Sequence, residues 1–193
     1  MFIAVFALAH LAHHLGALSS IGAHIAFMET LHTVYRHGLV EAVLPSCVTI
    51  QVLSGAWLVL HRWKQRKGKM AWLQAGSGAY LALFLQVHVS AVLFGRSVLG
   101  LDTNFYFAAA GFYVPPYRYF FAPYYFLAVL ALFTHLGCAA YWGLGAHPRA
   151  TRMLALALAV AAGSVIALLI VLSLAGLLRP VDVPAKYKAT YAG

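Results

Sequence analysis

Histidines lie inside the apolar stretches of this sequence, where an ionisable side chain is costly and is a candidate for function. The chain has 10 histidines against 4 acidic residues. Four of them fall within about 100° of one another at 100° per residue, so they share one face of the first apolar stretch. These four are His10, His13, His14 and His24. Such a face, directed into a helix bundle, is suited to a proton path, a metal site or haem ligation.

Two further histidines, His88 and His135, lie in two other apolar stretches. Polar contact between packed helices explains any one of them, but histidines in three different stretches favour a shared ligand. Haem is the economical ligand, since it needs two imidazoles on facing helices with small residues nearby. Small residues are available at 54–55, 76–78 and 137–140. Mononuclear zinc or copper is disfavoured, because it needs a third or fourth ligand and no embedded carboxylate or Cys/His cluster supplies one.

The elements that carry these histidines are apolar throughout. Hydrophobic residues make up 63% of the chain and charged residues 9%, and the mean hydropathy is +0.84. A spanning helix needs roughly 20 mostly apolar residues, and the runs are continuous rather than alternating, which excludes barrel strands. The sequence predicts an all-α, five-transmembrane-helix bundle as a single domain over 1–178, followed by an external polar tail over 179–193. The predicted helices are 1–28, 42–61, 71–95, 119–145 and 153–178.

Charge predicts how the bundle is oriented. Basic residues cluster over 62–69 and 147–152, and such loops are retained in the cytoplasm. The N-terminus is then cytoplasmic and the C-terminus external. Membrane topology accounts for the net charge of +9, so no nucleic-acid partner is expected.

The segment over 95–123 is rich in aromatic residues and is interrupted by Pro115 and Pro116. It is expected to be a long external loop whose rings form an interfacial belt, with an aromatic lid over a lipid-soluble ring compound as the alternative. The polar tail is expected to be extended, along the surface or against a partner.

The motif THLGCAAYWGLG, from Thr134 to Gly145, follows the last of the embedded histidines. With the histidines on predicted helices 1, 3 and 4 and a Glu-led second helix, it resembles the membrane-anchor cytochrome b subunit of succinate dehydrogenase and fumarate reductase (respiratory complex II), in its single-chain, two-haem form. The resemblance covers nearly the whole chain through widely spaced single histidines. It implies one or two haem b groups and electron transfer between membrane quinone and soluble flavoprotein and iron–sulfur subunits on the cytoplasmic face.

The Ala-, Leu- and Arg-rich composition is compatible with a bacterial inner membrane, with a mitochondrial inner membrane as the alternative location. The chain has no flavin fingerprint and no cysteine-rich cluster motif, so dehydrogenase chemistry would belong to its partners and this subunit would transfer electrons. A haem-free membrane anchor or scaffold is the alternative function. A proton-coupled transporter would show inverted repeats, broken helices and buried carboxylates, and none is visible in the sequence.

The resemblance also implies haem ligands. His88 and one of His10, His13 or His14, with His14 preferred, would hold an outer haem, and His135 an inner one. Simple helix counting instead matches the depth of His24 to that of His88. The second inner ligand falls on Gln51, a poor haem ligand. Either His61 replaces it, or the inner site is altered or empty.

Quinone chemistry needs a protonatable group beside an apolar cleft. The candidates are polar residues at the two ends of the bundle: Glu29, His32, His37 and Glu41 on the outer side, and His61, Arg62 and Trp63 on the inner side. Solvated loop charge explains the two glutamates equally well.

Overall fold

The computed structural model describes residues 2–35 and 38–191, and this part of the chain is helical without strands. Short 3-10 turns follow α3, α5 and α8. The prediction of an all-α fold is confirmed. The helices are α1 (Phe2–Gly16), α2 (Ile21–Tyr35), α3 (Gly38–His61), α4 (Lys69–Ser97), α5 (Phe105–Ala109), α6 (Arg118–Gly143), α7 (Arg149–Leu174) and α8 (Ala185–Lys188).

Four of these helices, α3, α4, α6 and α7, are long and apolar enough to cross a membrane. Helix α6 lies between α4 and α7 and packs along both. The Tyr80 hydroxyl of α4 donates a hydrogen bond to the Tyr124 carbonyl of α6 at 3.1 Å. One end of the bundle carries the loops 62–68 and 144–148 and is called the basic end. The other carries the end of α7 and the segment that follows it, and is called the tail end.

The first apolar stretch, over 1–28, does not form the single continuous helix that the sequence predicted. Helix α1 ends at Gly16 and α2 begins at Ile21, and each has 15 residues, fewer than the roughly 20 that a crossing needs. Ser20 stabilises the start of α2, because its Oγ accepts a hydrogen bond from the Ala23 amide at 2.9 Å. Serine is a favoured residue at this capping position.

The turn between α1 and α2 lies at the tail end. Ala17 in this turn is buried in the same core as Val183 and Tyr187. The Arg179 guanidinium donates a hydrogen bond from Nε to the Leu18 carbonyl at 3.1 Å. Helix α2 starts at this turn and ends close to the start of α3. Since α3 begins at the tail end and runs to the basic end, both ends of α2 lie near the tail end. The C-terminal end of α1 therefore lies at the tail end, and α1 extends from there into the bundle.

The aromatic segment between α4 and α6 is largely part of the core. Phe105 is 1% exposed and Phe112 is 9% exposed, so the predicted interfacial belt is wrong for these two rings. Tyr119 and Phe120, at the start of α6, are exposed as a belt requires. Burial also raises the pKa of Tyr113, whose hydroxyl has no hydrogen-bond partner in the described part of the chain.

The tail is folded rather than extended. Helix α8 begins after Pro184, and Tyr187 within it is 2% exposed. Its ring stacks on Tyr106 at a centroid distance of 6.1 Å. The tail and the aromatic segment together form a layer over the tail end of the bundle.

Helices α6 and α7 approach closely at Gly163, where a Cβ would overlap the Cβ of Phe133. We expect Gly163→Ala to lower the Tm of the detergent-purified protein by about 2–10 °C, since overpacking of a well-filled contact costs roughly 1–3 kcal/mol. Gly76→Ala is the matched control, because nothing lies within 4 Å of a Cβ at Gly76 in α4. It should leave Tm unchanged or raise it, as alanine is the better helix former. Equal Tm values for the two variants, measured by thermal unfolding, would contradict this packing.

Candidate functional site

Five histidine rings from three helices form one group, called here the histidine cluster. The closest neighbouring pairs have ring centroids 4.4–6.0 Å apart. The members are His10, His13 and His14 from α1, His24 from α2 and His88 from α4. The structure therefore brings together every histidine that the sequence analysis proposed for an outer haem.

Local chain geometry explains how α1 and α2 contribute. On a helix, residues three and four apart lie on one face, which places His13 and His14 beside His10, with centroids 4.7 and 4.9 Å away. The turn over 17–20 then redirects the chain, so that His24 in the first turn of α2 lies 4.8 Å from His13. His24 thus joins the cluster because the helix breaks, and not through a face shared along one helix.

Phenylalanine rings surround the cluster. Phe84 stacks on His88 with a centroid distance of 5.1 Å and an interplanar angle of 13°. Phe105 of α5 contacts His24 edge-on at 5.2 Å. Neither ring was predicted to be a site residue from the sequence. The four-residue spacing from Phe84 to His88 places both on one helical face and could have identified Phe84, whereas nothing local in the sequence ties Phe105 to His24.

Several nitrogens of the cluster lack partners. His13 is 2% exposed and His24 is fully buried. Within residues 2–35 and 38–191, His13 Nδ1 and both ring nitrogens of His24 are buried without a hydrogen-bond partner. Buried polar atoms are nearly always satisfied in native proteins, so each exception calls for an explanation. A ligand that accepts a lone pair would satisfy one nitrogen of each imidazole.

The distances between ring centroids in the histidine cluster fall into two ranges, and each range suits a different kind of metal coordination. Because a metal–nitrogen bond is about 2 Å long, two imidazoles on opposite sides of one ion have centroids roughly 6 Å apart, and two at a tetrahedral angle roughly 5 Å apart. The pair His10 and His88 is separated by 6.0 Å. The pairs among His13, His14 and His24 are separated by 4.4–5.1 Å.

Helix α1 by itself supplies three possible metal ligands, although the sequence was expected to lack a third or fourth one. The nitrogens of His10, His13 and His14 all lie within 4.8 Å of one another. All three members of this group are histidines, and it is the one group of possible metal ligands found among the described residues. The expectation that no Cys/His cluster exists in the apolar stretches is therefore wrong.

The residues proposed for an inner haem have local partners instead. Nδ1 of His135 lies 3.2 Å from the Gln74 carbonyl oxygen and 3.4 Å from the Ser77 hydroxyl, both on α4. His61 is exposed and stacks on Trp57 of its own helix at 4.3 Å. Gln51, on the same helix, is exposed. The described contacts do not join α3 to His135.

The quinone candidates lie apart from one another. Glu29 is exposed and His32 half-buried on α2, the helix of His24. Arg62 and Trp63 are exposed at the basic end, where Trp63 contacts Trp72 edge-on at 4.8 Å. His37 and the side chain of Glu41 lie outside the described residues.

A cavity of about 380 Å³ opens at the basic end, between the loop before α4 and the loop between α6 and α7. Its lining includes Lys67, Lys69 and Arg149. Next to it, the Arg152 guanidinium lies 4.0 Å from the ring centroid of Tyr141 and donates a hydrogen bond to the Tyr141 carbonyl at 2.9 Å. The basic end is thus a cationic surface with aromatic side chains among its charges.

The chain was compared with protein-family models, with curated proteins and with solved structures, and no match was found in any of the three. Its function is therefore inferred from its own residues, of which the histidine cluster is the most distinctive group.

Proposed function

We propose that this chain is a haem b-containing membrane subunit that transfers electrons between a membrane quinone and soluble flavoprotein and iron–sulfur subunits. The observation that carries the proposal is the 6.0 Å separation of the His10 and His88 rings, which come from two helices packed within one bundle. His10 and His88 would hold the haem iron between them. A haem held by two histidines supplies one-electron transfer.

His10 and His88 also have the surroundings that axial ligands need. The ring of Phe6 lies against His10 at 5.8 Å and that of Phe84 against His88 at 5.1 Å. These contacts restrict the rotation of both imidazoles, and fixed ligand rings hold an iron more tightly than mobile ones. His14, favoured together with His88 by the family resemblance, contacts His10, His13 and His24 instead.

The proposal includes one haem rather than two. His135 has partners on α4, and His61 lies at the basic end with a partner on its own helix. These contacts support the interpretation of His135 as a packing residue. A haem-free anchor remains the second candidate function, and it is favoured by the exposed Gln51 at the position of the family's inner ligand.

We place the basic end in the cytoplasm of a bacterial cell and the tail end outside the inner membrane. Basic loops are retained on the cytoplasmic side, and Lys67, Lys69 and Arg149 all lie at the basic end. Helix α1 enters from the tail end, which directs its N-terminus towards the cytoplasm. The soluble partner subunits would dock on the basic end through acidic surfaces. Electrostatic complementarity of this kind speeds and orients association.

A pyridine haemochrome assay tests the proposal on detergent-purified protein, with the chain quantified by amino-acid analysis. We expect one haem b per chain and a b-type band in the reduced-minus-oxidised spectrum. Two haems per chain would overturn the single-site assignment and return His135 to the ligand set. No haem after expression with sufficient haem supply would overturn the cytochrome proposal and favour the haem-free anchor.

A further inference from the structure

We infer that His13, His14 and His24 form a three-histidine site for one divalent transition-metal ion, separate from the pair His10 and His88. The three rings come from two helices that meet at the turn over 17–20. The site does not rest on the haem proposal, because it uses none of the proposed axial ligands.

The spacing of the three rings fits one shared ion. The centroid distances are 4.4 Å for His13 and His14, 4.8 Å for His13 and His24, and 5.1 Å for His14 and His24. Imidazoles bound to one tetrahedral ion have centroids roughly 5 Å apart. All three pairs lie near this value, and a fourth coordination position would be left for water or a small ligand.

The unsatisfied nitrogens point to a ligand at the same place. His24 is fully buried, and neither of its ring nitrogens makes a hydrogen bond of good geometry in the described part of the chain, although backbone groups of His13 and His14 lie near the ring. His13 is 2% exposed, with Nδ1 also unpartnered. A neutral imidazole has one nitrogen with a free lone pair, which a bound cation would satisfy. Two of the three rings therefore have buried nitrogens available for coordination.

The ligand type selects the class of ion. Neutral imidazole nitrogens suit zinc, copper and nickel, whereas calcium and magnesium require oxygen ligands. Three histidines with an open fourth position are a known arrangement for Zn²⁺. Phe105 covers His24 edge-on at 5.2 Å, so the ion would be held away from bulk water on this side.

Metal content and a spectroscopic probe test the site in the full-length purified protein. After treatment with a chelator and reconstitution with Zn²⁺, we expect one zinc per chain by mass spectrometry of the metal. Reconstitution with Co²⁺ should give the intense visible absorption of tetrahedral cobalt. His24→Ala is expected to lower the affinity for Zn²⁺ by about tenfold or more and to remove the cobalt bands, because even disturbing the support of a metal ligand costs 10–100-fold.

Two further variants separate loss of ligation from loss of folding. His24→Leu has a similar volume and no nitrogen, so it should lose zinc while keeping the Tm of the metal-free protein. His24→Leu should also keep its haem. His147→Ala, in the exposed loop between α6 and α7, is the control for surface histidines and should bind zinc as the natural protein does. Absence of zinc binding in the natural protein, or full zinc binding by His24→Leu, would overturn the site.

Discussion

Replacing His88 by alanine is expected to remove the haem b spectrum of the purified protein and to reduce haem content to background. His88 is the one member of the histidine cluster on α4, and its ring lies 6.0 Å from that of His10. Without it, the histidines that remain in the cluster come from α1 and α2 only, and none on α4 could hold the iron. Because the other four rings are unchanged, the variant should still bind one Zn²⁺ per chain. The measurements are the pyridine haemochrome assay and the metal content.

His135→Ala is the matched control for this experiment. His135 lies in the neighbouring helix α6, also within a spanning segment, but its Nδ1 has partners on α4. The haem content of this variant should equal that of the natural protein, with at most a lower Tm. Retention of haem by His88→Ala, or its loss in His135→Ala alone, would contradict the assignment of His10 and His88.

Cysteines placed at the two ends of the bundle are expected to react oppositely with a membrane-impermeant maleimide in intact spheroplasts. Cys47 and Cys138 are free and would first be replaced by alanine. Asp182→Cys, at an exposed position of the tail end, should then be labelled in intact spheroplasts. Lys67→Cys, at an exposed position of the basic end, should be labelled only after lysis. The extent of labelling is measured by mass shift on a gel.

This difference follows from the retention of basic loops in the cytoplasm. Labelling of both positions in lysed spheroplasts is the control for accessibility. The opposite pattern, with Lys67→Cys reactive and Asp182→Cys protected before lysis, would invert the topology and place the proposed docking surface for soluble subunits outside the cell.

The long helices could be predicted from the sequence because their physical cause is local. Continuous apolar runs favour helices long enough to cross a membrane, and α3, α4, α6 and α7 lie within a few residues of the predicted ranges. The break in the first stretch was missed because apolar residues flank it on both sides. Ser20 was the available signal, since serine before an apolar run is typical of a helix start.

The candidate site could be predicted only in part, because only some of its contacts have a local cause in the sequence. The shared face of His10, His13 and His14 follows from helical spacing alone, and the structure retains it. The depth assigned to His24 assumed an unbroken helix over 1–28. The sequence therefore did not predict that His24 would lie beside His13. The partners of His135 could not be predicted from the sequence either, because its contacts with Gln74 and Ser77 depend on how α4 and α6 pack.

The hydrogen bond between Arg179 and the Leu18 carbonyl joins positions 161 residues apart, and it has a consequence for biosynthesis. Ala17 is buried with Val183 and Tyr187, so the turn that follows α1 reaches its final surroundings only after Tyr187 has been synthesised. The C-terminal end of α1 is therefore fixed by residues that are synthesised more than 150 positions later.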